Sequence, residues 1–152
     1  MNRTWMTQTI GSALALFGMA AIAPAQTGGL PLAQVRPTDL QFAPMPNGTY
    51  QANVIGDVTK AGPYAARTRL PAGLRIPPHF HQEARIVLIV SGTLYVGYGE
   101  RFDESKLMAL PAGSVFTEPE RQPHFVWAKD GEVVLHVTGE GPSSTTWLDQ
   151  RK

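Results

Sequence analysis

The chain has 152 residues, enough for one domain and too few for two domains with separate cores. Its 13 Lys and Arg residues nearly balance its 12 Asp and Glu residues, and it contains no cysteine. The balance argues against nucleic acid as a partner, since binding it needs an excess of basic side chains. Without cysteine these residues offer no disulfide, thiol nucleophile or thiolate ligand, so any metal must be held by histidine and carboxylate.

Residues 1–25 have the three-part layout of a cleavable secretory signal peptide. Arg3 precedes an apolar run, Ile10–Ala23, and Ala23-Pro24-Ala25 supplies the small residues that signal peptidase recognises. A retained membrane helix is the alternative, but a spanning helix needs about 20 apolar residues, and this run has 14. We therefore expect a periplasmic or secreted protein that begins at Gln26 and is not stably inserted in a membrane.

The rest of the chain predicts an extended arm followed by an all-β domain. Residues 26–49 are rich in proline and lack a sustained apolar period, which is typical of an arm packed along a domain. Residues 50–142 contain short β-prone runs closed by Gly, Pro or Asp, which indicates an antiparallel sandwich or barrel. The polar tail, residues 143–152, is expected to cover one end of the barrel. The predicted strands are Tyr50–Ile55, Tyr64–Leu70, Leu74–His81, Arg85–Val90, Thr93–Tyr98, Leu107–Leu110, Ser114–Glu118, Phe125–Ala128 and Val133–Val137.

Three histidines form the candidate functional site. His79 and His81 lie two residues apart, so their side chains share one face of a strand, about 6.5–7 Å apart at Cα. His124 follows 43 residues after His81, at the start of another predicted strand. Three neutral imidazoles that meet about 2.0–2.2 Å from one point form a metal site with positions left for water or substrate. A His-x-His pair alone also occurs by chance on exposed strands, so the third histidine and the flanking turns are what favour a metal site.

Two motifs resemble those of a known family. Gly73 is followed after five residues by His79-Phe80-His81, and Gly92 comes eleven residues after His81. Gly113 is followed after five residues by Pro119, and His124 follows after four more. Together they resemble the two motifs of the small single-domain cupins of bacteria, in the RmlC-like jelly-roll superfamily. The resemblance covers residues 48–142 and implies a cupin double-stranded β-helix with His79, His81 and His124 as ligands of a divalent metal (Fe, Mn, Zn or Ni).

The fourth ligand departs from the family pattern. Cupins of this kind usually carry a glutamate four or five residues after the second histidine, where this chain has Arg85 and Ile86. Glu83 is a possible replacement, because in an unbroken strand it would point the same way as His79 and His81. If the chain turns after His81, as is usual in the family, Glu83 would instead be a loop charge or the partner of Arg85.

Three more residues are candidates for binding a small-molecule substrate. An inward Arg85 could hold a carboxylate or another oxyanion in a fork geometry, with a salt bridge to Glu83 or Glu118 as the alternative. His136 lies in the middle of a predicted strand, and its alternation with Val134 favours an inward side chain. Trp127 takes a position near that of a family asparagine, and core packing is the alternative role for it.

The sequence thus predicts an exported metal-binding cupin, and one hypothesis is dioxygenase-like or isomerase-like chemistry on a small organic molecule, with an organic anion as one candidate. A non-enzymatic barrel that binds a small anion through Arg85 is the main alternative, and a structural barrel that has lost its metal is the third. Whether the protein is an enzyme stays open. Similar proteins often form homodimers through a strand edge, so a homodimer is a further expectation.

Overall fold

The computed structural model describes residues 29–148, and it is an all-β structure with two short 3-10 segments. The predicted signal peptide lies outside the described residues. The 3-10 segments are Pro37–Asp39 and Glu104–Lys106. The strands are β1 (Ala43–Pro44), β2 (Tyr50–Ile55), β3 (Gly62–Leu70), β4 (Arg75–His81), β5 (Arg85–Ser91), β6 (Thr93–Tyr98), β7 (Met108–Pro111), β8 (Val115–Glu118), β9 (His124–Trp127), β10 (Val133–Gly141) and β11 (Thr145–Trp147).

Two antiparallel sheets face each other. The larger sheet has the order β1-β2-β3-β10-β5-β8, and the smaller has the order β11-β4-β9-β6-β7. From β3 to β6, and again from β7 to β11, consecutive strands alternate between the sheets, as in a jelly roll, so the predicted cupin double-stranded β-helix is confirmed. All nine predicted strands are present within a few residues of their expected limits. In the described part of the chain, no helix is long and apolar enough to cross a membrane.

The alternation of side chains along each strand explains where the core lies. On β5, Val87 and Ile89 are fully buried between the sheets, while Ile86 and Leu88 point outward and are exposed. The same pattern on β10 buries Val133, Leu135 and Val137. Such a period of two, with apolar residues on the inner face, is what specifies the register of an antiparallel sheet.

Tight turns join the strands at glycines that no other residue would replace easily. Gly73 and Gly113, each the last residue of a Pro-Ala-Gly sequence, adopt φ values of 79° and 90°. Gly92 joins β5 to β6 at φ 79°, and a Cβ there would meet the backbone of Glu132. Gly73 precedes β4 and Gly113 precedes β8, whereas His81 and Glu118 end these strands, so these two turns lie at the opposite strand ends from the histidine cluster.

The two ends of the chain add strands that the sequence did not predict. β1 pairs with β2 at the end of the arm, and β11 pairs with β4, with Trp147 opposite His79. Residues 29–42 are otherwise largely exposed. The tail after residue 142 thus becomes part of the smaller sheet beside the histidines.

Candidate metal centre

A β-bulge turns His79 and His81 into the barrel. Ile76 faces the interior, and strict alternation would send His79, three residues later, to the opposite face. The pairing of β4 with β9 shifts its register between Ile76 and His79, where Pro77 and Pro78 cannot donate backbone hydrogen bonds. The bulge therefore brings Ile76 and both histidines to the same cavity.

His124 reaches the same point from the neighbouring strand. It begins β9 and lies directly opposite His79 in the antiparallel pair. The turn before it contains Arg121, which adopts the left-handed conformation at φ 56°. The Arg121 N–H donates to the His81 carbonyl at 2.8 Å, so this turn is fastened to the end of β4. A glycine is usual at this position in the family motif, and the left-handed conformation explains that preference.

The three imidazoles converge, as the sequence predicted. Their ring centroids are separated by 4.3 Å (His79 and His124), 5.0 Å (His79 and His81) and 5.2 Å (His81 and His124). One ring nitrogen of each lies within 4.8 Å of the others, and all three side chains are buried.

Backbone carbonyls orient each ring. Nδ1 lies 2.8 Å from the Pro77 carbonyl in His79, 2.9 Å from the Ser144 carbonyl in His81, and 3.1 Å from the Gln122 carbonyl in His124. Because a carbonyl oxygen only accepts, Nδ1 carries the hydrogen, and in the neutral ring Nε2 keeps a free lone pair. This is the arrangement that fixes metal-ligating histidines in their ligating tautomer.

Burial and nearby charged groups keep the rings of His79 and His81 neutral. Burial, followed by the proximity of His124, lowers the pKa of His79 to about 3. Burial, followed by the charge of Arg85, lowers the pKa of His81 to about 4. Both imidazoles are therefore unprotonated at neutral pH, the form in which imidazole binds a metal.

Glu118 adds a carboxylate that was predicted only as a partner for Arg85. It ends β8, its side chain is 10% exposed, and it lies opposite Arg85 in the pairing of β5 with β8. Oε1 is 3.3 Å from His124 Nε2, and Oε2 is 3.4 Å from His81 Nε2. Burial alone raises the pKa of this carboxyl, but the contact with His124 and the charge of Arg85 hold it below its ordinary value. The carboxylate missing from the usual family position is thus supplied by the adjacent strand.

Arg85 and Glu83 form an ion pair at the edge of the histidine cluster. β4 ends at His81 and β5 begins at Arg85, so the chain turns and the unbroken strand needed to aim Glu83 at the histidines is not formed. Arg85 Nε donates to Glu83 Oε1 at 2.8 Å, and Arg85 Nη1 lies 3.6 Å from Glu118 Oε2. Tyr64 also donates to Glu83, at 3.2 Å. The position of Glu83 matches its predicted alternative as the partner of Arg85.

The cavity is lined on the side of β11 by Ser143, Ser144, Thr145 and Trp147. Arg85 Nη2 donates to the Ser143 hydroxyl, and the Thr145 hydroxyl lies 3.3 Å from His81 Nδ1. The Trp147 ring centroid is 5.0 Å from that of His79, and the residue is 46% exposed. The tail was predicted to cover the barrel end, but these contacts could not be predicted, because a three-residue strand carries no apolar period.

The other two predicted substrate residues lie elsewhere. His136 follows the outward phase of β10 and lines a groove on the outer face of the larger sheet, with Ile86 and Thr138. The expectation that it faces inward is wrong, because Leu135 and Val137 take the inward positions. The Arg75 guanidinium lies over the Trp127 ring, with Arg75 Cζ 3.7 Å from the ring centroid. Trp127 does not line the cavity of the histidines.

Comparison with known proteins agrees with this fold. The model of the AraC-like ligand binding domain matches residues 62–149, more than half of the chain. The chain belongs to this family. It is a small cupin domain, as the two motifs implied. An RmlC-like cupin from Shewanella frigidimarina NCIMB 400 superposes on it with a TM-score of 0.59 at 14% identity, and the match covers 73% of this chain and 92% of that one.

Two further similarities extend the comparison. Germin-like protein 5-1 of Oryza sativa subsp. japonica is 30% identical over 86 residues, which are 55% of this chain and 34% of the relative. The chain thus spans about a third of the length of that relative. A variant of salicylate 1,2-dioxygenase from Pseudoaminobacter salicylatoxidans, in complex with gentisate, has a TM-score of 0.56 at 17% identity, with 68% of this chain and 30% of that chain covered. Such low identities establish the fold and leave the activity open.

The residues of this cupin domain fit a divalent metal ion. His124 Nε2 and Glu118 Oε2 are buried and make no hydrogen bond of good geometry. A buried polar atom without a partner costs about 1–3 kcal/mol, and a cation between these two atoms would satisfy both. Three imidazole nitrogens and one carboxylate are also a donor set that Zn, Fe, Mn and Ni accept.

Proposed function

We propose that this cupin domain binds one divalent metal ion through Nε2 of His79, His81 and His124, with Glu118 as the fourth ligand. The observation that carries the proposal is the convergence of three buried imidazoles whose Nδ1 atoms all lie against backbone carbonyls. Buried imidazoles that serve only packing have no need for three free lone pairs beside a carboxylate with an unbonded oxygen.

The charges of the surroundings support a bound cation. Arg85 carries one positive charge, and Glu83 and Glu118 carry two negative charges, so the cluster has a net charge of −1 when the histidines are neutral. Glu83 and Glu118 together offset the repulsion that Arg85 would exert on a metal. A divalent ion would then leave the site with a net charge of +1, which favours a monoanionic ligand.

Bound there, a divalent ion would act as a Lewis acid toward a substrate oxygen, and iron would also allow oxygenase chemistry. The backbone carbonyls against Nδ1 would orient the histidines, burial of the site would exclude water, and the ion pair with Arg85 would hold Glu118 in place. We infer a metal-dependent role on a small organic anion, with dioxygenase-like or isomerase-like turnover as the enzymatic form of that role. The dioxygenase among the structural neighbours agrees with this direction.

The alternative, in which Arg85 binds a small anion without metal, has less support. Its guanidinium already donates hydrogen bonds to Glu83 and Ser143 and forms an ion pair with Glu118. An incoming anion would have to displace one of them and would meet the negative charge of the other. Anion binding that persists in metal-chelating buffer would favour this alternative.

Metal analysis of protein purified without added metal tests the proposal. We expect about one equivalent of a divalent ion in the natural protein and none in a His79→Ala/His124→Ala double variant. His136→Ala is the matched control, because it removes a histidine outside the cavity and should keep the metal. A natural protein that neither carries a metal nor binds Fe, Mn, Zn or Ni on titration would contradict the proposal.

We further propose that the protein is exported after cleavage behind Ala25. The support is the composition of residues 1–25 alone. Mass spectrometry of the protein expressed with its full sequence in a bacterial host should find an extracytoplasmic form that begins at Gln26. A chain that keeps Met1 and stays in the cytoplasm would contradict this.

A further inference from the structure

The cavity beside the histidines has a volume of about 270 Å³, close to the lower end of the range for small-molecule sites. Besides the histidines, Arg85 and Glu118, uncharged side chains line it, both apolar ones such as Leu70, Phe116 and Leu135 and polar ones such as Asn47, Gln51 and Thr68. Of the residues in 29–148 that line this cavity, Arg85 and Glu118 are the only ones with Lys, Arg, Asp or Glu side chains.

This distribution restricts the charge of the ligand. Arg85 is already paired with Glu83 and Glu118, so neither the guanidinium nor any other lining side chain is left to neutralise a second anionic group. Burying an unpaired charge against apolar side chains is costly. A ligand that fits can therefore carry one oxyanion for the metal, and the remainder of it must be uncharged.

Trp147 adds a preference for shape. Its indole lies at the wall of the cavity beside His79, and with 46% of its surface exposed it keeps area available for contact. The indole is held in place because the Leu148 N–H donates to the Pro78 carbonyl at 3.0 Å and Trp147 pairs with His79 in the sheet. A fixed aromatic face favours a flat ring stacked or tilted against it.

We propose that the site takes a planar monocarboxylate with no second charged group, such as an aromatic acid, with its carboxylate at the metal and its ring against Trp147. The proposal rests on the metal site proposed above and adds the class of ligand. Trp147 is then a binding residue that sets specificity, and the selectivity for one charge follows from the neutral walls of the cavity.

Binding of simple carboxylates to the Zn²⁺-loaded protein tests this, with Zn²⁺ titrated first by calorimetry. We expect benzoate to bind at least about tenfold more tightly than acetate, because the ring buries apolar surface. Cyclohexanecarboxylate, of similar size but not flat, should bind more weakly than benzoate. Terephthalate, with a second carboxylate, should bind more weakly still. Equal affinities for acetate and benzoate would overturn the proposal.

The variant Trp147→Ala separates this inference from the metal site. It should weaken benzoate binding about fivefold or more while the affinities for Zn²⁺ and acetate stay within twofold of the natural protein. Trp127→Ala is the control, since that indole lies outside the cavity. If Trp147→Ala leaves benzoate affinity unchanged, the ligand class is wrong and the metal site stands. If the protein binds benzoate equally well without Zn²⁺, the placement of the carboxylate at the metal is wrong. If it takes up none of Zn, Fe, Mn and Ni, both proposals fail.

Discussion

Replacing Glu118 by glutamine tests whether this carboxylate is a metal ligand. The substitution keeps the shape of the side chain and removes its charge, 3.3 Å from His124 and 3.4 Å from His81. One pair of unit charges 4 Å apart is worth about 4 kcal/mol at an effective dielectric of 20. The cost of burying the carboxylate offsets part of this attraction. We expect a net loss of about 3 kcal/mol, which is roughly a 100-fold weaker affinity for the metal.

Calorimetric titration of the metal-free protein with Zn²⁺ measures the effect, and Glu83→Gln is the control. Glu83 also pairs with Arg85, but it lies in the turn after β4, whereas the Glu118 oxygens lie 3.3 Å from His124 and 3.4 Å from His81. Its replacement should weaken Zn²⁺ affinity by less than about tenfold, the lower range for outer partners of a metal site. Equal losses in the two variants, or an unchanged affinity in Glu118→Gln, would refute the assignment of Glu118 as the fourth ligand.

Three further predictions concern stability. The pKa values of His79 and His81 are about 3 and about 4 in the folded chain, against 6.5 for a free side chain, so protonation of these rings favours unfolding. The free energy of unfolding of the metal-free protein should therefore fall as pH decreases from 6.5 towards 4. Denaturant titrations that give the same free energy of unfolding across this range would disprove this. Arg121→Gly should raise the free energy of unfolding by about 0.5–1 kcal/mol, since it relieves a left-handed conformation, and a lower denaturation midpoint would count against this. Gly97→Ala should lower the free energy of unfolding by about 1–3 kcal/mol, because the added methyl group would clash with the fully buried Phe125 ring; an unchanged midpoint would show that the ring can move aside.

The strands were predictable because their signal is local. Val87 and Ile89 alternate with exposed neighbours, and the glycine turns mark the ends of the runs, so the pattern on each strand gives both its type and its inner face. The convergence of the histidines was predictable because the His-x-His spacing and the spacing of the two motifs are also visible in the local sequence. β11 was not, because three residues are too few to show a period and it depends on pairing with β4.

The origin of the fourth carboxylate could not be predicted from local pattern. Glu118 enters the site because β5 pairs with β8 in the register that sets it opposite Arg85, and register between distant strands is not written in either strand alone. The position of His136 was misjudged because its alternation with Val134 was taken for the inner phase. The large apolar residues on that strand, Leu135 and Val137, mark the other phase as the inner one.

X-ray absorption spectroscopy of the metal-loaded protein identifies the ligands of the ion. We expect three nitrogen neighbours with imidazole scattering and one carboxylate oxygen, about 2.0–2.2 Å from the ion, with the imidazole signal reduced in His124→Ala. A bound ion surrounded only by oxygen, or a spectrum that is unchanged in that variant, would contradict it.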